Sequence, residues 1–235
     1  MTAAPHDPSL DRVAAVARAL GDLADDVVFM GGAIALLLQT DPPFRAARVT
    51  SDVDGIITSH RYTDTEVLRV RLEQGGFRQN PADRTHVHRW RDPSGIPFDL
   101  VPAGEHLGGS GNPWDAIGIA TAAQTTLAGT VRIRHVTASV FLAQKWAAYD
   151  DRGSADPLAS HDLEDILALL ASRPGIIEEV SAAPAVLREY VGAQARAFLD
   201  SEYAEDLLAA NLSNTQDPAA TIAAVQTVLQ RLAER

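Results

Sequence analysis

Two aspartates two positions apart give the sequence its clearest chemical signal. Asp52 and Asp54 close the run RVTSDVD (48–54) and enter a predicted strand, residues 51–58. Because side chains two apart on a strand point to the same face, the two carboxylates are expected side by side. Adjacent carboxylates repel each other unless a cation lies between them, and Mg²⁺ takes such oxygen ligands and shares them with phosphates. The pair therefore predicts a Mg²⁺ or Mn²⁺ site, with a polar strand end beside a turn as the alternative.

A third aspartate and a pair of glycines extend this pattern. Asp99 interrupts the apolar segment IPFDLVP (96–102). A half-buried carboxylate is costly without a partner, and a metal ion on a neighbouring strand would supply one. Gly31 and Gly32 stand between a predicted strand and a predicted helix. Backbone N–H groups and the helix dipole at such a position favour a phosphate, and a tight turn is the alternative.

Lys145 is the single lysine among the 20 basic residues of the chain. Lysine carries a compact point charge, whereas the guanidinium of arginine is planar and extended. Because the chain otherwise uses arginine throughout, Lys145 is a candidate site residue. Tyr149 follows four residues later and shares its face of the predicted helix. We expect the Lys145 ammonium to reach into a cleft toward the aspartates, without Lys145 needing to be part of the core, and a surface lysine that covers Trp146 is the alternative.

The elements that carry these residues predict an α+β fold. Strands are predicted at 27–30, 51–58, 85–91, 96–101 and 130–136, and helices at 9–20, 33–39 and 64–74. The turn sequence at 92–95 joins two of the strands, and residues 108–113 form a glycine-rich loop. From residue 137 onward only helices are predicted, at 138–149, 161–172, 176–199, 202–211 and 218–234. The sequence therefore predicts a mixed sheet with helices in a domain of residues 1–136, followed by an all-helical domain of residues 137–235.

Composition and charge narrow the classes of function. The chain of 235 residues has a formal net charge of −11 and no cysteine. The absence of cysteine excludes disulfides and thiolate metal sites and, with no signal peptide or transmembrane segment in the sequence, leads us to expect a cytoplasmic protein with no membrane contact. A protein that grips long nucleic acid usually has a basic face. Contact with nucleic acid is therefore expected to be local or to depend on a partner.

The combination of these motifs resembles the nucleotidyltransferases of the DNA polymerase beta superfamily. Within that superfamily it looks most like the AbiEii-type toxin branch of bacterial toxin–antitoxin systems. The resemblance runs from residue 27 to residue 170. Its parts are the strand-Gly-Gly-helix at 27–38, the R-x-T-x-D-x-D run at 48–54, Asp99, the helix with Lys145 and Tyr149, and the SHDLEDI run at 160–166. The resemblance implies a nucleotidyltransferase-like sheet in the N-terminal domain.

The resemblance also implies a role for each motif residue. Asp52 and Asp54 would hold an ion that bridges the nucleotide phosphates, and Asp99 would hold a second ion or act as general base. Lys145 would lie against the phosphates. The full set of predicted nucleotide-binding residues is Gly31, Gly32, Arg48, Thr50, Ser51, Lys145, Asp162 and Asp165. For Thr50 and Ser51 the alternative is a strand start, for Arg48 a surface arginine, and for Asp162 a helix N-cap.

These roles predict a metal-dependent enzyme that transfers a nucleoside monophosphate from an NTP to an acceptor. In the toxin-like branch the expected acceptor is RNA, in particular the 3′ end of a tRNA, and a small antitoxin protein is the expected partner. Two alternatives stay open. The acceptor is a small molecule such as an aminoglycoside or a nucleoside, or the domain is non-catalytic and binds a nucleotide or a partner protein.

Overall fold

The computed structural model describes residues 8–44, 49–58, 62–80, 88–103 and 112–234. It confirms the predicted α+β class, with a mixed sheet in the N-terminal part and only helices after residue 137. The chain divides into two compact units. Unit 1 comprises residues 1–34 and 48–137, and unit 2 comprises residues 35–47 and 138–235. Among the described residues, no helix has both the length and the apolar character needed to cross a membrane.

Unit 1 is built on a six-stranded mixed sheet. The strands are β1 (Val27–Met30), β2 (Val53–Ile57), β3 (Arg89–Arg91), β4 (Pro97–Pro102), β5 (Ala123–Leu127) and β6 (Val131–His135). Their order in the sheet is β3-β4-β2-β1-β6-β5. The helices of this unit are α1 (Pro8–Leu20), α3 (Tyr62–Gln74) and α4 (Asp115–Ala120). β2 and β4 are parallel to each other, whereas β1 and β3 run antiparallel to their partners β2 and β4.

Apolar side chains fill one face of the central strands. Val53 of β2 and Phe98 of β4 are register partners, and both are fully buried. The burial of β4 alternates strictly along the strand, from Phe98 through Leu100 to Pro102. Because the side-chain period of a strand is two residues, the positions between them belong to the opposite face. This phase places the polar residues of β2 and β4 on one side of the sheet.

Unit 2 contains the remaining helices. They are α2 (Ala35–Leu38), α5 (Ala138–Ala148), α6 (His161–Ser172), α7 (Ile176–Ala182), α8 (Ala185–Leu199), α9 (Ala204–Leu212) and α10 (Pro218–Ala233). A π-helical turn, Tyr149–Gly153, continues α5. Trp146 is 2% exposed and packs with its ring near Phe198. The limits of α6 agree with the prediction to the residue.

Several predicted elements differ from the structure. The helix predicted at 33–39 is a 3₁₀ turn, Gly32–Ile34, followed by the single α-turn of α2. The helix predicted at 176–199 is broken into α7 and α8, because Ala183 before Pro184 is extended, as a residue preceding proline prefers. The short α4 and the polar edge strand β5 were not predicted, since neither has an apolar periodicity.

Candidate active site

A row of polar side chains crosses three neighbouring strands of the sheet. Asp54 of β2 is the register partner of Asp99 of β4, and Asp99 is the register partner of Arg89 of β3. Register partners on adjacent strands place their side chains on the same face, about 5 Å apart at Cβ. The sheet therefore brings together two of the three predicted carboxylates and adds a guanidinium beside them. Met30 of β1 continues the row on the other side of Asp54.

Asp52 reaches the same cluster from the bend just before β2. Its Oδ2 lies 3.8 Å from Arg89 Nη2. The same nitrogen lies 2.5 Å from Asp99 Oδ2, so carboxylate oxygens of Asp52 and Asp99 meet at one guanidinium nitrogen. The carboxylate cluster, defined as Asp52, Asp54 and Asp99, is therefore assembled on one face of the sheet. All three residues are half-buried.

Arg89 is bound to this cluster by two hydrogen bonds. Its Nε donates to Asp99 Oδ1 at 2.8 Å, and its Nη2 donates to Asp99 Oδ2. This bidentate geometry is the strong form of an arginine–carboxylate pair. The pKa of Arg89 is raised above its ordinary value, first by the hydrogen bond to Asp99 and then by the charges of Asp99, Asp52 and Asp54. Arg89 is thus the counter-charge of the cluster.

The sequence analysis missed Arg89, because its place depends on the exact register of the hairpin. The predicted turn at 92–95 is confirmed: the Gly95 amide donates to the Asp92 carbonyl, and the Asp92 carboxylate accepts from the Ser94 amide. Counting residue pairs outward from a turn of residues 92–95 would place Arg89 opposite Phe98. In the structure, however, the Asp92 amide donates to the Ile96 carbonyl, and Arg89 lies opposite Asp99. Because a shift of one residue reverses the face of every side chain, the predicted turn alone could not place Arg89 against the third carboxylate.

Gly31 supports the cluster from the end of β1. Its φ of +72° lies in the left-handed region that favours glycine. A Cβ at this position would overlap the carboxylate of Asp54, so the backbone of Gly31 lies directly against that side chain. Gly32 opens the 3₁₀ turn that follows. The helix start on which the predicted phosphate contact depended is consequently only a short turn.

The remaining predicted residues of unit 1 occupy the approach to β2. The Thr50 amide donates to Ser9 Oγ at 3.1 Å, and the Thr50 carbonyl accepts from Arg12 at 2.6 Å. The Thr50 hydroxyl is buried and has no hydrogen-bond partner in the described part of the chain. Ser51 is exposed. Arg48 lies outside the described residues, as does most of the predicted glycine-rich loop.

In unit 2 the other predicted residues form a second charged cluster. Lys145 Nζ of α5 lies 2.9 Å from Asp162 Oδ1 and 2.7 Å from Asp165 Oδ2, both of α6. Arg152 also bonds to Asp162, through its Nε at 2.9 Å. The side chain of Lys145 is only 13% exposed, and those of both aspartates are buried. This low exposure excludes the alternative of an exposed surface lysine.

The geometry of α6 also removes one alternative for Asp162. The N-cap of the helix is Ser160, whose hydroxyl accepts from the Leu163 amide. Asp162 lies inside the first turn and faces Lys145 and Arg152 instead. Burial acts to raise the pKa of Asp162, but the Arg152 hydrogen bond and the Lys145 charge outweigh it, so the pKa is lowered. Burial likewise acts to lower the pKa of Lys145, and the charges of Asp165 and Asp162 raise it overall.

Only the first cluster offers the donor set of a hard cation. Three carboxylates on a half-exposed face suit Mg²⁺ or Mn²⁺ in their chemistry. Within the described residues, however, no group of three acidic or histidine side chains is spaced to bind a metal ion. In the present arrangement both Asp99 oxygens accept hydrogen bonds from Arg89. The carboxylate oxygens suit a hard cation by their chemistry and not by their present spacing.

Comparisons with known proteins found similar structures, including two from Helicobacter pylori. No protein-family model matches the chain, and no curated protein matches it in sequence. The chain is similar to JHP933 from Helicobacter pylori, with 16% identity, a TM-score of 0.47, and 98% of this chain and 94% of that chain covered. It is also similar to a protein from H. pylori described as a candidate nucleotidyltransferase, with 12% identity, a TM-score of 0.46, and 97% and 96% covered. At this level of similarity neither structure determines the function of the chain.

Proposed function

We propose that the chain is a metal-dependent nucleotidyltransferase of the DNA polymerase beta superfamily, which moves a nucleoside monophosphate from an NTP to an acceptor hydroxyl. The observation that carries this proposal is the pairing of Asp54 with Asp99 across β2 and β4, with Asp52 at the same guanidinium. Without a cation among them, three carboxylates on one face would repel each other strongly. A site of this composition suits divalent cations and the phosphates they bind.

Each carboxylate has a task in such a transfer. Asp52, Asp54 and Asp99 would hold the divalent cation, which when bound supplies stabilisation of the negative charge on the phosphates. Asp99 accepts the proton of the acceptor hydroxyl as general base. The hydroxyl oxygen forms a bond to the α-phosphorus, and the bond from that phosphorus to the bridging oxygen breaks. Pyrophosphate leaves with the electron pair.

The proposed nucleotide contacts of unit 2 depend on the family resemblance. Lys145 would offset phosphate charge, and Asp162 and Asp165 would accept hydrogen bonds from the nucleotide. Their assembly into one cluster with Arg152 supports a shared role. The alternative is a structural role, because the two aspartates already balance the charge of the buried lysine and accept its hydrogen bonds without any ligand.

The acceptor is proposed to be RNA, in particular the 3′ end of a tRNA, with a small antitoxin protein as partner, as in the AbiEii-type branch. A small-molecule acceptor is the alternative. A non-catalytic nucleotide-binding or protein-binding domain is the second candidate function. One observation favours it, namely that Arg89 lies where a catalytic ion would have to share Asp99.

Incubation with Mg²⁺, each α-labelled NTP and total RNA tests the proposed activity, with aminoglycosides and nucleosides in parallel reactions. We expect label transfer by the wild type and a loss of roughly 100-fold or more in Asp54→Asn, because the ion loses a charged ligand. Asp22→Asn is the matched control, since Asp22 is an exposed aspartate of the same unit. Equal transfer by Asp54→Asn and the wild type would refute the assigned site. No transfer to any acceptor would favour the non-catalytic domain.

A further inference from the structure

The two hydrogen bonds between Arg89 and Asp99 use both oxygens of that carboxylate. Each of these oxygens keeps a second lone pair, so a cation that coordinates Asp99 has to share the carboxylate with the guanidinium or displace it. The proposed function therefore brings a second cation to a carboxylate that Arg89 already binds.

Electrostatics favours the exchange once a divalent cation is present. The carboxylate cluster carries three negative charges, of which Arg89 neutralises one. A doubly charged ion at the same place interacts twice as strongly with each carboxylate at equal distance. The two cations also repel each other, which pushes the guanidinium out of the cluster as the metal enters.

The side chain of Arg89 is free to make this movement. It is 39% exposed, and its long aliphatic stem lets the guanidinium swing without a shift of β3. Trp90, the next residue, is buried on the opposite face and holds the strand in place. The register of β3 on β4 thus fixes the position of the Arg89 backbone, while its side chain is partly exposed to solvent.

We propose that Arg89 is an internal cation that occupies the carboxylate cluster in the absence of metal and competes with the divalent ion for Asp99. The inference rests on the proposed function, because it concerns the same site. It makes Arg89 a regulatory residue. The protein itself holds the site assembled and partly neutralised, and metal binding releases Asp99 from Arg89 for catalysis.

Titration with Mn²⁺ alone tests this inference without any measurement of turnover. The free ion is counted by its electron paramagnetic resonance signal against wild type, Arg89→Gln and Arg89→Lys. We expect Arg89→Gln to bind Mn²⁺ about tenfold more tightly or better, since a competing unit charge near the site is removed. Arg89→Lys keeps the charge but loses the bidentate pair, so its affinity should lie between the two. Arg91→Gln is the matched control, because Arg91 lies on the same strand and bonds to the Gly95 carbonyl.

The outcomes separate this inference from the proposed function. Unchanged or weaker Mn²⁺ binding in Arg89→Gln, with binding still abolished by Asp54→Asn, overturns the competition and leaves the metal site standing. It would mean that Arg89 positions Asp99 for the metal. No Mn²⁺ binding at millimolar concentration by wild type and Arg89→Gln overturns the metal site itself, and both proposals with it. If Arg89→Gln does not fold, the comparison of Arg89→Lys with wild type decides the matter in the same way.

Discussion

At Gly31 the absence of a side chain leaves the space that a carboxylate of the next strand occupies. The Gly31 backbone adopts a positive φ, and the space that a Cβ would take is filled by the Asp54 carboxylate. The two constraints are physically distinct. The first is a matter of local backbone strain, and the second is a contact between strands that sets the direction of a proposed metal ligand.

Gly31→Ala should therefore cost more than backbone strain alone. The left-handed conformation costs an L-residue about 1–2 kcal/mol, and the displaced Asp54 carboxylate adds to this. We expect the free energy of urea unfolding to fall by more than that amount and Mn²⁺ binding to weaken about tenfold, as when a ligand loses its support. Gly129→Ala is the matched control: Gly129 has a φ of +74°, and a Cβ added there would meet no atom within 4 Å. Equal losses in the two variants would show that the contact with Asp54 is unimportant.

At the scale of elements, α5 and α6 are joined by buried charges. Lys145 on α5 pairs with Asp162 and Asp165 on α6, which leaves the ammonium with two carboxylate partners in a poorly solvated place. Such a network makes little net contribution when intact, but the loss of one partner leaves an uncompensated buried charge. Any test of a nucleotide-binding role for Lys145 therefore has to be read together with stability.

Lys145→Ala should lower the free energy of unfolding by about 3–5 kcal/mol, because the buried Asp165 loses the ammonium paired with it and the buried Asp162 keeps only Arg152. Arg152→Ala serves as the control, since Arg152 bonds to the same Asp162 but is 68% exposed, and exposed pairs contribute only about 0–1 kcal/mol. Urea unfolding followed by circular dichroism measures both. If Lys145→Ala is as stable as the wild type yet inactive in nucleotidyl transfer, the cluster is not structural and Lys145 acts on the substrate.

At the scale of the whole molecule, the sequence predicted what short-range periodicity encodes. The strand phase of Asp54 and the polar interruption at Asp99 indicated carboxylates on one sheet face, and the apolar pattern of α6 located that helix; Asp52, in contrast, reaches the cluster from the bend before β2. Arg89 was missed because its place depends on pairing between strands, which only hairpin register reveals. The pairing of Lys145 with Asp162 and Asp165 was missed for a similar reason, since these two aspartates are 17 and 20 residues further along the chain.

The net charge of the molecule limits how it can contact an RNA acceptor. A net charge of −11 repels RNA phosphates at long range. Several arginines of the described chain are also already engaged: Arg69 bonds to Glu66 and Glu73, and Arg71 pairs with Asp26. Among the described residues, arginines engaged in this way are less available to replace the counterions of a nucleic acid. If RNA is the acceptor, its contacts are confined to a short stretch near the reacting end.

Binding of a fluorescently labelled tRNA to the isolated chain should therefore depend only weakly on salt. Each replaced phosphate counterion contributes roughly 0.7–0.9 to the slope of log K against log salt concentration, so a contact limited to one or two phosphates gives a slope shallower than about −2. Fluorescence anisotropy at salt concentrations between roughly 50 and 200 mM measures this slope. A slope of about −5 or steeper would reveal an extended phosphate contact and contradict this account of the surface. A shallow slope together with transfer to tRNA would instead locate recognition at the 3′ end or in a partner protein, because the acidic chain alone does not supply it.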